Sequence, residues 1–337
     1  MRQSITTCVL AVLAAVAVVA PVPSLVAAAA QASNTSSGRL VFAVVRNDGL
    51  LLPFAAFDGR RWSTPWPDQI DGPGAPDLPV NLASVPAKWW GGEDPGSWNL
   101  WPRGVEAATR IALQSPVMMR VGASRQLGFR TDQRPVLPPI PPFELPFPKV
   151  GVAIAGDAKL EPISSVSPLG PRWRTFTASL RQEIDKAEER SIRTLRGARW
   201  VHPFKPEART KVQPELEAWY VGRPADSSIN LSYVEVVKKY PLLPGDEGCG
   251  LETFVSGWVH HDDGQQNPRA KLKAVITYCD RRSVSYMLPF GQLQLAGRTH
   301  WIVQMSGRDH EWYAVIECRP DEVKYVAEYQ AGRVPFF

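Results

Sequence analysis

A short pattern used three times constrains this chain more than any other feature. Its clearest copy runs Leu51, Pro53, Phe54, Phe57, Gly59, Arg61, Trp62. A second reads Leu160, Pro162, Ile163, Val166, Gly170, Arg172, Trp173, and a looser third reads Met287, Pro289, Phe290, Leu293, Gly297, Arg298, Trp301. Each copy sets apolar residues around a proline, then a glycine, then a tryptophan. Self-similarity of this kind implies a repeated supersecondary unit. It predicts an architecture and no chemistry.

The flanks add detail. Leu40 to Val45 is a β-branched run that ends at Asp48-Gly49, a hairpin signature. Val150 to Ile154 ends at Gly156-Asp157, with the same aspartate-to-proline offset, whereas Asp280 lies farther from Pro289. Proline cannot donate to a ladder, so it suits a strand end, an edge or a bulge. Each copy is therefore expected to be a hairpin that closes on a proline, with a glycine turn leading to an indole. Trp62, Trp173 and Trp301 would then be equivalent packing positions.

Residues 1–32 are expected to be a leader removed on export. Arg2 supplies the positive end, Val9 to Val19 the apolar run and Ala30-Gln31-Ala32 the cleavage site. Secretion or delivery to a periplasm follows, with membrane contact only through an uncleaved leader. The formal charge of +5 is mixed along the chain. Without a concentrated basic stripe, nucleic acid is excluded as a partner. An oxidising compartment allows a disulfide. Leu251–His260 and Ala270–Cys279 form a predicted hairpin that sets Cys249 opposite Cys279, so those two are expected to be bridged and Cys318 free.

Five segments follow the leader: a flexible lead-in at 33–38, an N-terminal β module at 39–133, a proline-rich linker at 134–148, a second hairpin with its helix at 149–198, and a C-terminal antiparallel β module at 199–337. Residues 68–104 carry loop residues throughout. The linker favours an extended polyproline conformation. Thr177–Gly197 places Leu180, Ile184, Ala187, Ser191 and Leu195 at helical spacing against a charged face, with Gly197 as the stop. From Leu216 onward, apolar alternation and turn residues predict a run of antiparallel strands.

Catalytic signatures of short, recognisable form are missing from the sequence: no Gly-x-Ser-x-Gly, no His-Glu-x-x-His, no phosphate-binding loop. All five histidines lie in the second half. His260 and His261 adjoin Asp262-Asp263, but neighbouring strand residues face opposite ways, so the two histidines are not expected to share a metal. His260, Asp263, His300, His310 and Glu311 are the candidates for catalysis, with His310-Glu311 as an acid–base pair. Glu235, Glu252 and Glu317 fall in strand patterns. Trp89, Trp90 and Trp98 lie outside the repeated positions and are the candidate ligand-stacking side chains.

The expected fold is mainly β, with antiparallel sheets arranged as two β modules or an irregular propeller-like repeat and one capping amphipathic helix. The expected function is a non-enzymatic exported binding or structural module that meets a glycan or protein ligand through surface loops. No cofactor and no confident metal site are expected. The alternative is an exported, metal-assisted hydrolase with its site in the C-terminal β module.

Overall fold

The computed structural model describes residues 39–333 apart from 68–69, 72–77, 82, 84, 87–88, 90–96, 122–123, 134–148, 168–170, 223, 225–228, 246–247, 262–267 and 308–309. The leader, the lead-in, the proline-rich linker, Trp90, Asp262 and Asp263 lie outside the described residues.

β1 (Leu40–Arg46) and β2 (Leu50–Phe57) form the predicted hairpin. Gly49 turns it with φ of +79°, and a Cβ there would stand 2.7 Å from the Gln133 carbonyl oxygen. Nearly every residue of both strands is buried, because each face of the hairpin is covered. Their unbroken apolar runs are the sequence form of that double coverage.

Further strands extend the sheet: β3 (Trp62–Ser63), β4 (Ile70–Asp71), β5 (Leu78–Pro79), β6 (Ser97–Pro102), β7 (Thr109–Val121), β8 (Ser124–Thr131) and β9 (Lys149–Ala155). Their order is β3-β2-β1-β9-β6-β7-β8-β4, with β5 on β7. β2 also pairs with β8 through Leu50 and Leu51. The run from β2 through β1, β9, β6 and β7 to β8 therefore closes on itself as a barrel, which removes free edges from those strands. β6 carries Trp98 and Trp101 and lies between β7 and β9, within a span that composition marks as loop.

The second half meanders. β10 (Ser164–Ser165), β11 (Glu215–Gly222), β12 (Asn230–Lys239), β13 (Leu251–His261) and β14 (Arg269–Tyr278) form a five-stranded sheet in that order. β15 (Tyr286–Leu295), β16 (Arg298–Ser306), β17 (His310–Cys318) and β18 (Val323–Arg333) form a four-stranded sheet. All pairings are antiparallel, and the fold is mainly β with one long helix, in line with the strand and helix patterns. That helix, α1 (Pro171–Gly197), begins six residues before the expected start, with proline at its first position, where no amide is needed. Its end is set by Arg199 (φ +66°) rather than Gly197, and the Trp200 amide donates to the Leu195 carbonyl at 3.0 Å. A four-residue helix, α2 (Pro206–Arg209), follows.

The layers are fixed by what each face buries. Leu180, Ile184 and Ala187 of α1 pack on Val234, Val236, Val255, Val259 and Leu272 of the five-stranded sheet. The sheet's other face sends Tyr233 and Trp258 against Met287, Trp301 and Val303. The far face of the four-stranded sheet, with Phe290, Ile302, Tyr313 and Tyr329, joins Phe42, Phe54 and Phe129 of the barrel region in one core.

The proline copies do not share one shape. Pro53 and Pro289 each sit at a bulge, where the register slips at Phe54 and at Phe290. Pro53 is in the second strand of its hairpin and Pro289 in the first. Pro162 lies between β9 and β10, where Glu161 bridges to Gln292 of β15. The tryptophans diverge as well: Trp62 is in β3, Trp173 in α1 and Trp301 in β16. β9, expected to open a second hairpin unit, instead pairs with β1 and β6 as a stave of the barrel.

Cys249 and Cys279 form the expected disulfide with Cα atoms 5.1 Å apart, and Cys318 is free and buried. Among the described residues no helix is long and apolar enough to cross a membrane. The disulfide is compatible with an extracellular location.

Candidate functional site

The histidines separate. His260 is buried on the face of β13 that looks to the four-stranded sheet, with Nε2 3.3 Å from the Arg319 carbonyl oxygen. His261 points the other way, toward Phe176 of α1, and its Nε2 lies 2.8 Å from Ser232 Oγ. His300 packs its ring on Trp62 at 5.3 Å, and burial pushes its pKa down to about 4 although Glu317 opposes the shift. His310 stacks on Trp312 at 5.1 Å. Among the described residues no three His, Cys, Asp or Glu side chains gather as a metal site.

His310 and Glu311 also part company, as strand neighbours must. Glu311 turns into the interface with the barrel, where Lys149 Nζ donates at 2.9 Å, Gln304 Nε2 at 3.1 Å and Tyr313 hydroxyl at 2.6 Å. Trp98 is 1 % exposed inside the barrel region, and half-buried Trp89 packs edge-on to Trp66 at 5.6 Å. Trp98 is a packing group here, because β6 is a barrel strand and not a loop, whereas Trp89 lies before β6.

Three polar clusters that the apolar pattern conceals hold the layers together. Lys238, fully buried in β12, donates to Glu188 at 2.7 Å and to Asp185 at 3.0 Å, both on α1. Glu188 also accepts from Tyr240 and Thr253. Burial alone would raise its pKa, but these donors outweigh it and hold the carboxyl below its usual range. Arg281 follows β14 with φ of +49° and grips Glu217 through both terminal nitrogens at 2.7 Å, Glu252 at 2.8 Å and the Tyr286 hydroxyl at 2.9 Å. Its fork is occupied by these partners, so it works as a clamp between β11, β13 and β15. Beneath it, Glu235 is buried and accepts the Met287 amide at 2.6 Å. Burial drives its pKa up to about 8, so at neutral pH it is largely a neutral acid. The clue in the sequence was Val-Glu-Val-Val-Lys at 234–238, where a charge interrupts an otherwise apolar strand twice.

A groove lies between α1 and β14. Ala187, Ser191 and Thr194 are small, and they face Leu272 and Ala274 across a gap of about 320 Å³. Arg190, Leu195 and Lys273 complete its lining. Arg190 spans the gap to donate to the Leu272 carbonyl at 3.1 Å. The lining pairs hydroxyl and cationic groups with short apolar ones and contains no carboxylate, thiol or imidazole.

No family model, curated protein or solved structure matches the chain.

Its functional reading therefore rests on the groove and the clusters. The buried acids and cations are engaged with one another across layers, whereas Lys273 and Thr194 of the groove are exposed, the Thr194 hydroxyl donating to the Arg190 carbonyl at 3.2 Å. Such a surface can recognise a ligand by shape, hydrogen bonds and positive charge.

Proposed function

We propose that this chain is an exported, non-enzymatic binding protein that recognises its ligand at the groove between α1 and β14. The observation that carries this reading is the groove's lining: cations and hydroxyls beside small apolar side chains, with no carboxylate, imidazole or thiol among them. The disulfide and the leader-like residues 1–32 support export. Recognition is then assigned to this groove rather than to the tryptophans of residues 89–98.

The test is an array of glycans and peptides probed with the purified full chain and with Ser191→Trp, which fills the groove. A ligand held by the wild type and lost by the filled variant, at unchanged unfolding temperature, supports the reading. Ligand capture that ignores the substitution ends it.

A hydrolase remains the second reading because one observation favours it: Glu235, protonated near neutrality, has the character of a general acid. Turnover of an ester or glycoside substrate that disappears in Glu235→Gln would establish it.

A further inference from the structure

We infer that the open edge of β14 receives an added strand from an extended acidic peptide. This rests on the groove being the recognition surface and names the ligand it takes.

β14 ends its sheet among the described residues. Its ladder to β13 is regular from Leu251–Tyr278 to His260–Arg269. The Cys279 amide donates to the Gly250 carbonyl at 3.1 Å, so odd-numbered residues turn their backbone groups toward β13. Even-numbered residues turn theirs outward, and the Arg190 guanidinium is found on one of these, the Leu272 carbonyl. Farther along, the backbone groups of Ala274 and Ile276 face away from β13. This is the row of donors and acceptors that a further strand completes.

Side chains give that strand its composition. On the α1 side, Leu272 and Ala274 face the groove beside Ala187, Ser191 and Thr194, with room for small apolar residues. Alternating with them along the strand, Arg269, Lys271 and Lys273 repeat at every second residue and are exposed, with Lys273 also bordering the groove. An incoming strand alternates its side chains with the same period. It therefore matches this edge when acidic residues alternate with short apolar ones. Two copies of this chain joined edge to edge would instead crowd two cationic rows on one face, which opposes self-association.

The deciding measurement is fluorescence anisotropy with a labelled Glu-Val-Glu-Val-Glu-Val-Glu peptide on the full disulfide-bonded chain. A control peptide has proline for each valine, with the same charge and no capacity for a ladder. Two variants accompany the wild type: Ala274→Pro, which removes an outward amide without touching the β13 ladder, and the pair Lys271→Glu with Lys273→Glu.

The wild type is expected to prefer the valine peptide by roughly tenfold or more. Each variant is expected to lose that preference while keeping its unfolding temperature, and the charge-reversed pair to prefer a Lys-Val peptide. Equal binding of the proline peptide, undiminished binding by either folded variant, or no saturation at ~1 mM peptide overturns the inference. A concentration-dependent dimer abolished by Ala274→Pro would overturn it in favour of a second copy. If the peptide fails while an array ligand still depends on Ser191, only the strand-addition inference falls and the groove remains.

Discussion

Lys238 and Glu188 meet at 2.7 Å between α1 and the five-stranded sheet, with side chains 0 % and 3 % exposed. A cation and an anion so enclosed hold each other in place, and removing either strands the other. Lys238→Met is therefore expected to cost about 3–5 kcal/mol, because Glu188 keeps its burial and loses its counter-charge. Urea unfolding monitored by tryptophan fluorescence measures it; a change below ~1 kcal/mol would show that the pair does not hold α1 down. The pH sign follows from the lowered carboxyl. Its contribution is present above the ordinary glutamate range and fades as pH falls through the depressed folded-state value.

Glu235 behaves in the opposite sense. Its folded pKa is raised to about 8 from 4.5, so its carboxyl favours folding below the unfolded value. That advantage is lost as pH rises toward 8, by up to ~1.4 kcal/mol per pH unit for one proton. Glu235→Gln keeps an acceptor for the Met287 amide and removes the titration. Unfolding temperatures of the two proteins should diverge between about pH 5 and 8 in favour of the variant, then run parallel. Parallel curves throughout would mean that Glu235 titrates normally.

Reduction of Cys249–Cys279 frees the start of β13 from the end of β14. Loss of the bridge is expected to lower stability by about 3 kcal/mol. Comparison of the oxidised chain with Cys249→Ser/Cys279→Ser by thermal unfolding tests this. The third thiol gives an internal check. Burial raises the Cys318 pKa, so an alkylating reagent should modify it only once the chain unfolds.

Trp98 separates packing from ligand contact. With 1 % exposure, Trp98→Ala is expected to cost about 3–5 kcal/mol by leaving a void in the barrel region. Ligands captured by the folded remainder should be unaffected. A variant of native stability that has lost ligand would return the site to β6.

Arg281→Lys should behave almost as Arg281→Ala, each losing about 1–2 kcal/mol after allowance for the clamp's partial exposure. A lysine has one point charge and cannot span Glu217, Glu252 and Tyr286 together. Full rescue by lysine, read from denaturant midpoints, would reduce the clamp to simple charge attraction.

The strands of the second half were legible because alternation and turn residues are local. Cys249 and Cys279 were paired correctly from the hairpin they flank, since register carries over to adjoining residues. Four things were not legible. The closure of β2 on β8 joins residues far apart in sequence, and no local period encodes it. Trp98 looked like a loop aromatic because glycine, proline and aspartate surround it, yet pairing of Ser97–Leu100 with Thr109–Ala112 overrides that composition. The proline pattern does not carry over to one backbone shape: only Pro53 and Pro289 share a bulge, and Trp173 lies in a helix that starts earlier than its charged face suggests. The groove was invisible, being the space left by small side chains on two elements of different kind.

The covering of β1 and β2 by the four-stranded sheet has a kinetic consequence. Tyr329 accepts from Gln126 across 203 residues and donates to Pro67 across 262. A nascent chain therefore displays the outer wall of its first hairpin, greasy and unshielded, until its last strands have emerged. Slow acquisition of the native state and a need for holding factors during synthesis follow from that order of arrival.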